Sequence, residues 1–122
     1  MKKILVVDDE PQIIKILEEF LTKKGFEVIA SLGGERIEEI LAGDNAINLI
    51  ILDMKMPQTS GIAILRKMEE MNIKIPVIIF TGSIDMKKRL AEIKELGYDS
   101  QDAIYKPVNL NELLDKINAK LL

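Results

Sequence analysis

Three short runs of uninterrupted apolar residues constrain this chain more than any other feature. They are ILVV at 4–7, LIIL within NLIILD at 48–53, and VIIF at 77–80. A four-residue run is too short for a helix, and it lacks the apolar–polar alternation of a sheet with one wet face. It suits a strand covered on both faces, and such strands belong to parallel sheets flanked by helices. The segments between the runs have helical periodicity. Pro11–Lys24 places Ile13, Ile14, Ile16, Leu17, Phe20 and Leu21 on one broad face, with Pro11 in the first turn and Gly25 as the stop. Glu35–Leu41 turns Ile37, Ile40 and Leu41 inward. Gly61–Met71 and Asp85–Leu96 give two more helices. Asn109–Leu121 gives a fifth, with Asn109 and Glu112 spaced as a capping box. Shorter runs at Glu27–Ala30 and Ala103–Tyr105 complete five strands. The expected fold is α/β, a doubly wound (βα)5 with a five-stranded parallel sheet. Right-handed crossovers favour the strand order 2-1-3-4-5, with the least apolar strand, Glu27–Ala30, at an edge.

Composition narrows the chemistry. The 122 residues suit a single domain spanning 1–122, with no repeat, linker or low-complexity tract. There is no Cys and no His, which removes disulfides, thiolate and imidazole ligands, and histidine bases. A metal held by this chain must be held by oxygen, which points to Mg²⁺, Mn²⁺ or Ca²⁺. The net charge of -3 argues against direct nucleic-acid binding. The apolar run after Met1-Lys2-Lys3 is far too short for a signal peptide or a membrane span, so a cytoplasmic location is expected.

The predicted topology gathers the polar residues. In open α/β sheets ligands bind beyond the carboxyl ends of the strands, where the strand order reverses. Strand one runs into Asp8-Asp9-Glu10 and strand three into Asp53. Strand four runs into Thr81-Gly82-Ser83, and strand five into Lys106-Pro107. Carboxylates brought together this way repel and raise one another's pKa unless a cation joins them. Mg²⁺ bound by one or two carboxylates, waters and phosphate oxygens would suit this crevice. Acids, hydroxyls and one ammonium suit phosphoryl transfer, and an aspartate can itself be the nucleophile.

These residues resemble a response-regulator receiver domain of two-component signalling, over essentially the whole chain. The matching elements are Asp8-Asp9, Asp53 in LDMKMP, Thr81 in FTGS, and Lys106-Pro107. The resemblance implies that Asp53 is the phospho-acceptor and that Asp8 and Asp9 hold Mg²⁺ (or Mn²⁺) together with Asp53 and the backbone carbonyl of Lys55. It implies that Thr81 hydrogen-bonds the phosphoryl group and that Lys106 pairs with it. The implied partners are a histidine kinase or a histidine phosphotransfer protein, docking on the first helix and the loop after Lys106. A homodimer through the helix-four to helix-five face is the other partner implied.

Each residue also has a plainer role open to it. Asp8 or Asp9 can cap the first helix, Asp53 the turn at Met56-Pro57, and Thr81 can be an ordinary strand residue. Lys106-Pro107 can be a strand ending before a proline. The methionines read as packing rather than a cofactor site. Two departures from the family pattern stand out. Ala103 occupies the position three before the strand-five Lys where an aromatic residue is common, with Tyr105 on the same face of the strand, and the loop GYDSQDA is long. The expected function is a signalling switch or a phosphorelay shuttle, either standing alone or as the receiver of a longer regulator. The protein would not be an enzyme beyond catalysing its own phosphorylation and dephosphorylation. The alternatives are a Mg²⁺-dependent phosphatase-like enzyme, which would want an Asp where Lys55 stands, and a non-phosphorylated binding module of the same fold.

Overall fold

The computed structural model describes residues 1–43, 46–56 and 59–122, apart from the side chain of Ser83. The MP step of the LDMKMP motif therefore falls partly outside the described residues, at Pro57. Five strands form: β1 (Lys3–Asp8), β2 (Glu27–Leu32), β3 (Leu49–Asp53), β4 (Val77–Thr81) and β5 (Ala103–Tyr105). All pair in parallel, in the order β2-β1-β3-β4-β5. They alternate with α1 (Pro11–Lys23), α2 (Ile37–Ala42), α3 (Gly61–Glu70), α4 (Ser83–Glu95) and α5 (Leu110–Lys120). The expected fold class and strand order are both borne out.

Strand alternation builds two cores from one sheet. Ile4, Val6, Leu49, Ile51, Ile78, Phe80 and Ile104 pack on one face against Ile14, Leu17 and Leu21 of α1 and Leu113 and Ile117 of α5. Leu5, Val7, Ile50, Leu52, Val77, Ile79 and Ala103 pack on the other face. They meet Ile37 of α2, Ile62, Leu65 and Met68 of α3, and Met86 and Ile93 of α4. Burying one such aliphatic side chain stabilises the fold by about 1.5–3 kcal/mol. That is why the sequence holds no polar residue between Ile4 and Val7. Met54, Met56, Met68 and Met86 are all buried in the second core, as packing residues.

The differences from the sequence reading lie at element ends. α2 begins at Ile37 rather than Glu35, because Gly33 turns the chain with a φ of 82° and Gly34 lies tight against Ile64 and Thr59. α4 begins at Ser83, with Gly82 as its extended N-cap. The long loop before β5 holds a 3₁₀ turn, Ser100–Asp102, closed by a reciprocal Asp99–Asp102 capping box. Lys116 and Lys120 of α5 bind Gln101 and Asp102 of that turn. At α5 the Asn109 side chain accepts the Glu112 N–H at 3.0 Å.

Candidate functional site

Register brings the polar strand ends together. Val7 pairs with Leu52, Asp53 with Phe80, and Thr81 with Tyr105, so β1, β3, β4 and β5 end at one level. Asp8 closes β1, Asp53 closes β3, Thr81 closes β4, and Lys106 follows β5. A main-chain bond from the Lys106 N–H to the Thr81 carbonyl (3.0 Å) ties the last two together. The Lys106–Pro107 peptide is cis. Because each acid or hydroxyl continues a strand buried on both faces, it is buried as well. Asp8, Asp53 and Thr81 are 1%, 2% and 2% exposed.

Only part of this polarity is satisfied within the chain. Asp8 Oδ1 accepts the Glu10 N–H at 2.9 Å, and Asp53 Oδ1 accepts the Lys55 N–H at a long 3.4 Å. The other oxygens, Asp8 Oδ2 and Asp53 Oδ2, are buried and accept no hydrogen bond. Lys106 Nζ lies 3.2 Å from Asp53 Oδ1, 3.6 Å from Asp8 Oδ2 and 3.4 Å from Glu10 Oε2. The Thr81 hydroxyl donates to the Gly82 carbonyl at 3.1 Å. Asp8 does not cap α1, whose N-cap, Glu10, has no side-chain capping bond.

The electrostatics follow from burial. Burial raises the Asp53 pKa from 3.8 to about 6, reinforced by the charge of Asp8 and opposed by Lys106. Burial likewise raises Asp8, against the pull of the Glu10 N–H and Lys106. Burial would depress Lys106, but Asp53, Asp8 and Glu10 outweigh it and hold the ammonium charged. One ammonium thus leaves the two acids short of charge compensation.

A divalent cation fits this deficit. Asp8, Asp9 and Asp53 each bring a carboxylate oxygen within 4.8 Å of the others, and two of these residues hold an orphaned buried oxygen. An unsatisfied buried acceptor costs about 1–3 kcal/mol, so its retention marks a place where another group is wanted. The donor set is oxygen only, as hard cations prefer. The open cleft above the site is lined by Asp9, Glu10, Asp53, Lys55, Met56, Thr81, Gly82, Asp85 and Lys106. All the sequence-derived site residues therefore sit in or at one crevice. Sequence reasoning did not find Asp85 or the Glu10–Lys106 pair. An acid in the first turn of α4, just beyond the Thr81 strand end, was the available signal for Asp85.

Comparison with known proteins agrees with this geometry. Residues 4–118 match the family model described as the response regulator receiver domain. The transcriptional regulatory protein CpxR of Escherichia coli is 37% identical over 121 residues, covering 99% of this chain and 50% of the relative. The chain thus spans about half the length of the curated relatives it matches. A response regulator receiver domain protein from Clostridium thermocellum superposes with a TM-score of 0.84 at 33% identity, covering 99% of this chain and 94% of that one. The response regulator protein TrrA from Thermotoga maritima, solved in complex with Mg(2+)-BeF, superposes with a TM-score of 0.81 at 30% identity, covering 99% and 100%. With strand order, strand-end residues and family match in agreement, the chain belongs to the response regulator receiver domains of two-component signalling.

Proposed function

We propose that residues 1–122 form one receiver domain in which Asp53 accepts a phosphoryl group from a phosphohistidine donor. That donor would be a histidine kinase or a histidine phosphotransfer protein. The observation that carries this reading is the orphaned, buried Asp53 Oδ2 at the end of the central strand, beside Asp8, Asp9 and Lys106. In the transfer, a carboxylate oxygen of Asp53 forms a bond to phosphorus. The phosphorus–nitrogen bond of the donor breaks, and its electron pair leaves with the imidazole. At neutral pH Asp53, with a pKa of about 6, is mostly ionised and needs no base to become a nucleophile. Lys106, on a main chain fixed to the end of β4, pairs with the incoming phosphoryl oxygens. Thr81 exchanges the Gly82 carbonyl for the phosphoryl group as its hydrogen-bond partner.

Asp8, Asp9, Asp53 and the Lys55 carbonyl would hold Mg²⁺ (or Mn²⁺), which supplies positive charge to the phosphoryl oxygens when bound. Support comes from the oxygen cluster and from a relative solved with Mg(2+)-BeF. Phosphorylation would act as a switch or a relay step in the cytoplasm. Among the described residues no helix is long and apolar enough to cross a membrane. α1 and the loop after Lys106 would receive the donor; Ile16 is 46% exposed there. A homodimer would use the α4 to α5 face, where Ile84 and Tyr105 are exposed. The expectation of no direct nucleic-acid binding is not borne out by relatives named as transcriptional regulatory proteins. Incubation with acetyl phosphate and Mg²⁺ should add one phosphoryl group by intact mass, and chelation or Asp53→Asn should abolish it. Undiminished labelling of Asp53→Asn would sink the assignment.

A further inference from the structure

Glu10, the third acid of the DDE run, stands outside the oxygens that Asp8, Asp9 and Asp53 bring within 4.8 Å of one another. It is nonetheless tied to the site, since its Oε2 lies 3.4 Å from Lys106 Nζ. The same ammonium lies 3.2 Å from Asp53 Oδ1 and 3.6 Å from Asp8 Oδ2. Two of its three partners are therefore carboxylates that fit a divalent cation. An ammonium and a divalent cation on the same two buried carboxylates repel strongly, because the surrounding protein screens them poorly. Metal binding thus favours movement of the ammonium away from Asp8 and Asp53. Of the three acids it touches among the described residues, Glu10 is the one left to receive it.

Resting on the reading of Asp8, Asp9 and Asp53 as a cation site, we propose that Glu10 is a positioning residue for Lys106. It draws the ammonium off the two buried aspartates and so strengthens metal binding. The local geometry suits that task. The Glu10 N–H is anchored to Asp8 Oδ1 at 2.9 Å, which fixes the backbone beside the site. Its side chain is 57% exposed, so it can follow the lysine without losing solvation. Lys106 is held by its main chain to Thr81, so the exchange is confined to the side chain. The Lys106 side chain is 30% exposed, which leaves a path toward the rim where Glu10 sits.

The test is a double-mutant cycle read by Mg²⁺ titration calorimetry on wild type, Glu10→Gln, Lys106→Met and the double variant. With Lys106 present, Glu10→Gln should weaken Mg²⁺ binding about fivefold. In the Lys106→Met background it should change it by less than about twofold, the signature of coupled rather than independent residues. Equal weakening in both backgrounds would mean that Glu10 acts on the metal directly, and that result overturns the proposal, as does no weakening in either. Glu10→Asp gives a second arm that needs no Lys106 variant. It keeps the charge but withdraws it from Nζ by one methylene, so it should bind Mg²⁺ as weakly as Glu10→Gln. Wild-type affinity in Glu10→Asp overturns the positioning role. Wild type that binds no Mg²⁺ overturns the cation site itself, whereas normal binding without coupling overturns only the role of Glu10.

Discussion

Asp53 shows what the proposed acceptor role demands of a single residue. Its carboxyl is held in the core with one oxygen unpaired, and burial lifts its pKa from 3.8 to about 6. An acid whose pKa is raised by folding binds its proton more tightly in the folded state. Stability therefore falls as pH climbs from about 4 to about 6, and the full cost is present above that window. That cost is on the order of 1–3 kcal/mol and is shared with Asp8, whose charge adds to the burial. Asp53→Asn should then melt several degrees higher than wild type at pH 7.5 without divalent ions. The gain should shrink toward zero as the pH approaches 4. A variant that melts lower at pH 7.5 would show that the Lys106 pair outweighs the burial. At this scale the sequence was informative wherever a polar residue ended an apolar run, as with Asp8, Asp53, Thr81 and Lys106. It was silent on which acid of DDE is buried. Position along the strand decides that: Asp8 is the last residue of β1 and is covered on both faces, while Asp9 lies beyond the strand end and has turned partly out to solvent. The repulsion expected among the strand-end carboxylates is thus felt at the buried Asp8 and Asp53.

The elements place that residue, and one glycine sets how closely. Gly61 opens α3 and donates its N–H to the Met54 carbonyl at 2.9 Å. A Cβ there would lie 2.7 Å from the Asp53 carbonyl oxygen and 2.8 Å from Met54 Cα, both backbone atoms that cannot rotate away. Gly61→Ala should destabilise the fold by about 1–3 kcal/mol, as overpacking does, and, on the proposed role of Asp53, should slow acetyl-phosphate labelling by displacing the strand end that carries it. Gly25 is the control. It has a φ of 93° with open space around it, so Gly25→Ala should cost about 1 kcal/mol of backbone strain and leave labelling unchanged. Denaturant melts and labelling time courses on both variants separate the two outcomes; normal labelling in Gly61→Ala would remove the steric argument. Elements with strong patterning, such as α1 with Ile14, Leu17 and Leu21 buried, were legible within a residue at each end. α2 and the 3₁₀ turn were not. α2 follows two glycines that serve conformation and close packing, and the turn is held by Lys116 and Lys120 from α5, far along the chain. α2 itself was legible from Ile37, Ile40 and Leu41, but its first turn was not, and the tertiary contacts that hold the 3₁₀ turn lie outside its local sequence.

At the scale of the whole molecule, the site and the fold compete for the same charges. Topology was readable because continuous apolar strands leave few arrangements open, and right-handed crossovers then carry the acids to one edge. What topology alone does not convey is that the folded chain keeps two buried carboxylates against one ammonium. A ligand that binds only the folded state raises stability by mass action, by about 1.4 kcal/mol at ten times its dissociation constant. Here the ligand must also displace protons. Asp8 and Asp53 both hold protons more tightly than usual, so metal binding should weaken as pH falls through about 6. Millimolar Mg²⁺ should therefore raise the melting temperature clearly at pH 7.5, less at pH 6 and hardly at all at pH 4.5. Asp53→Asn, already relieved of one buried charge, should start higher and gain much less. A lift that is the same at pH 4.5 and 7.5, or one that survives intact in Asp53→Asn, would place the cation on surface acids instead. The predicted pattern arises only if the residues that hold the metal are the ones whose burial the fold tolerates least without it.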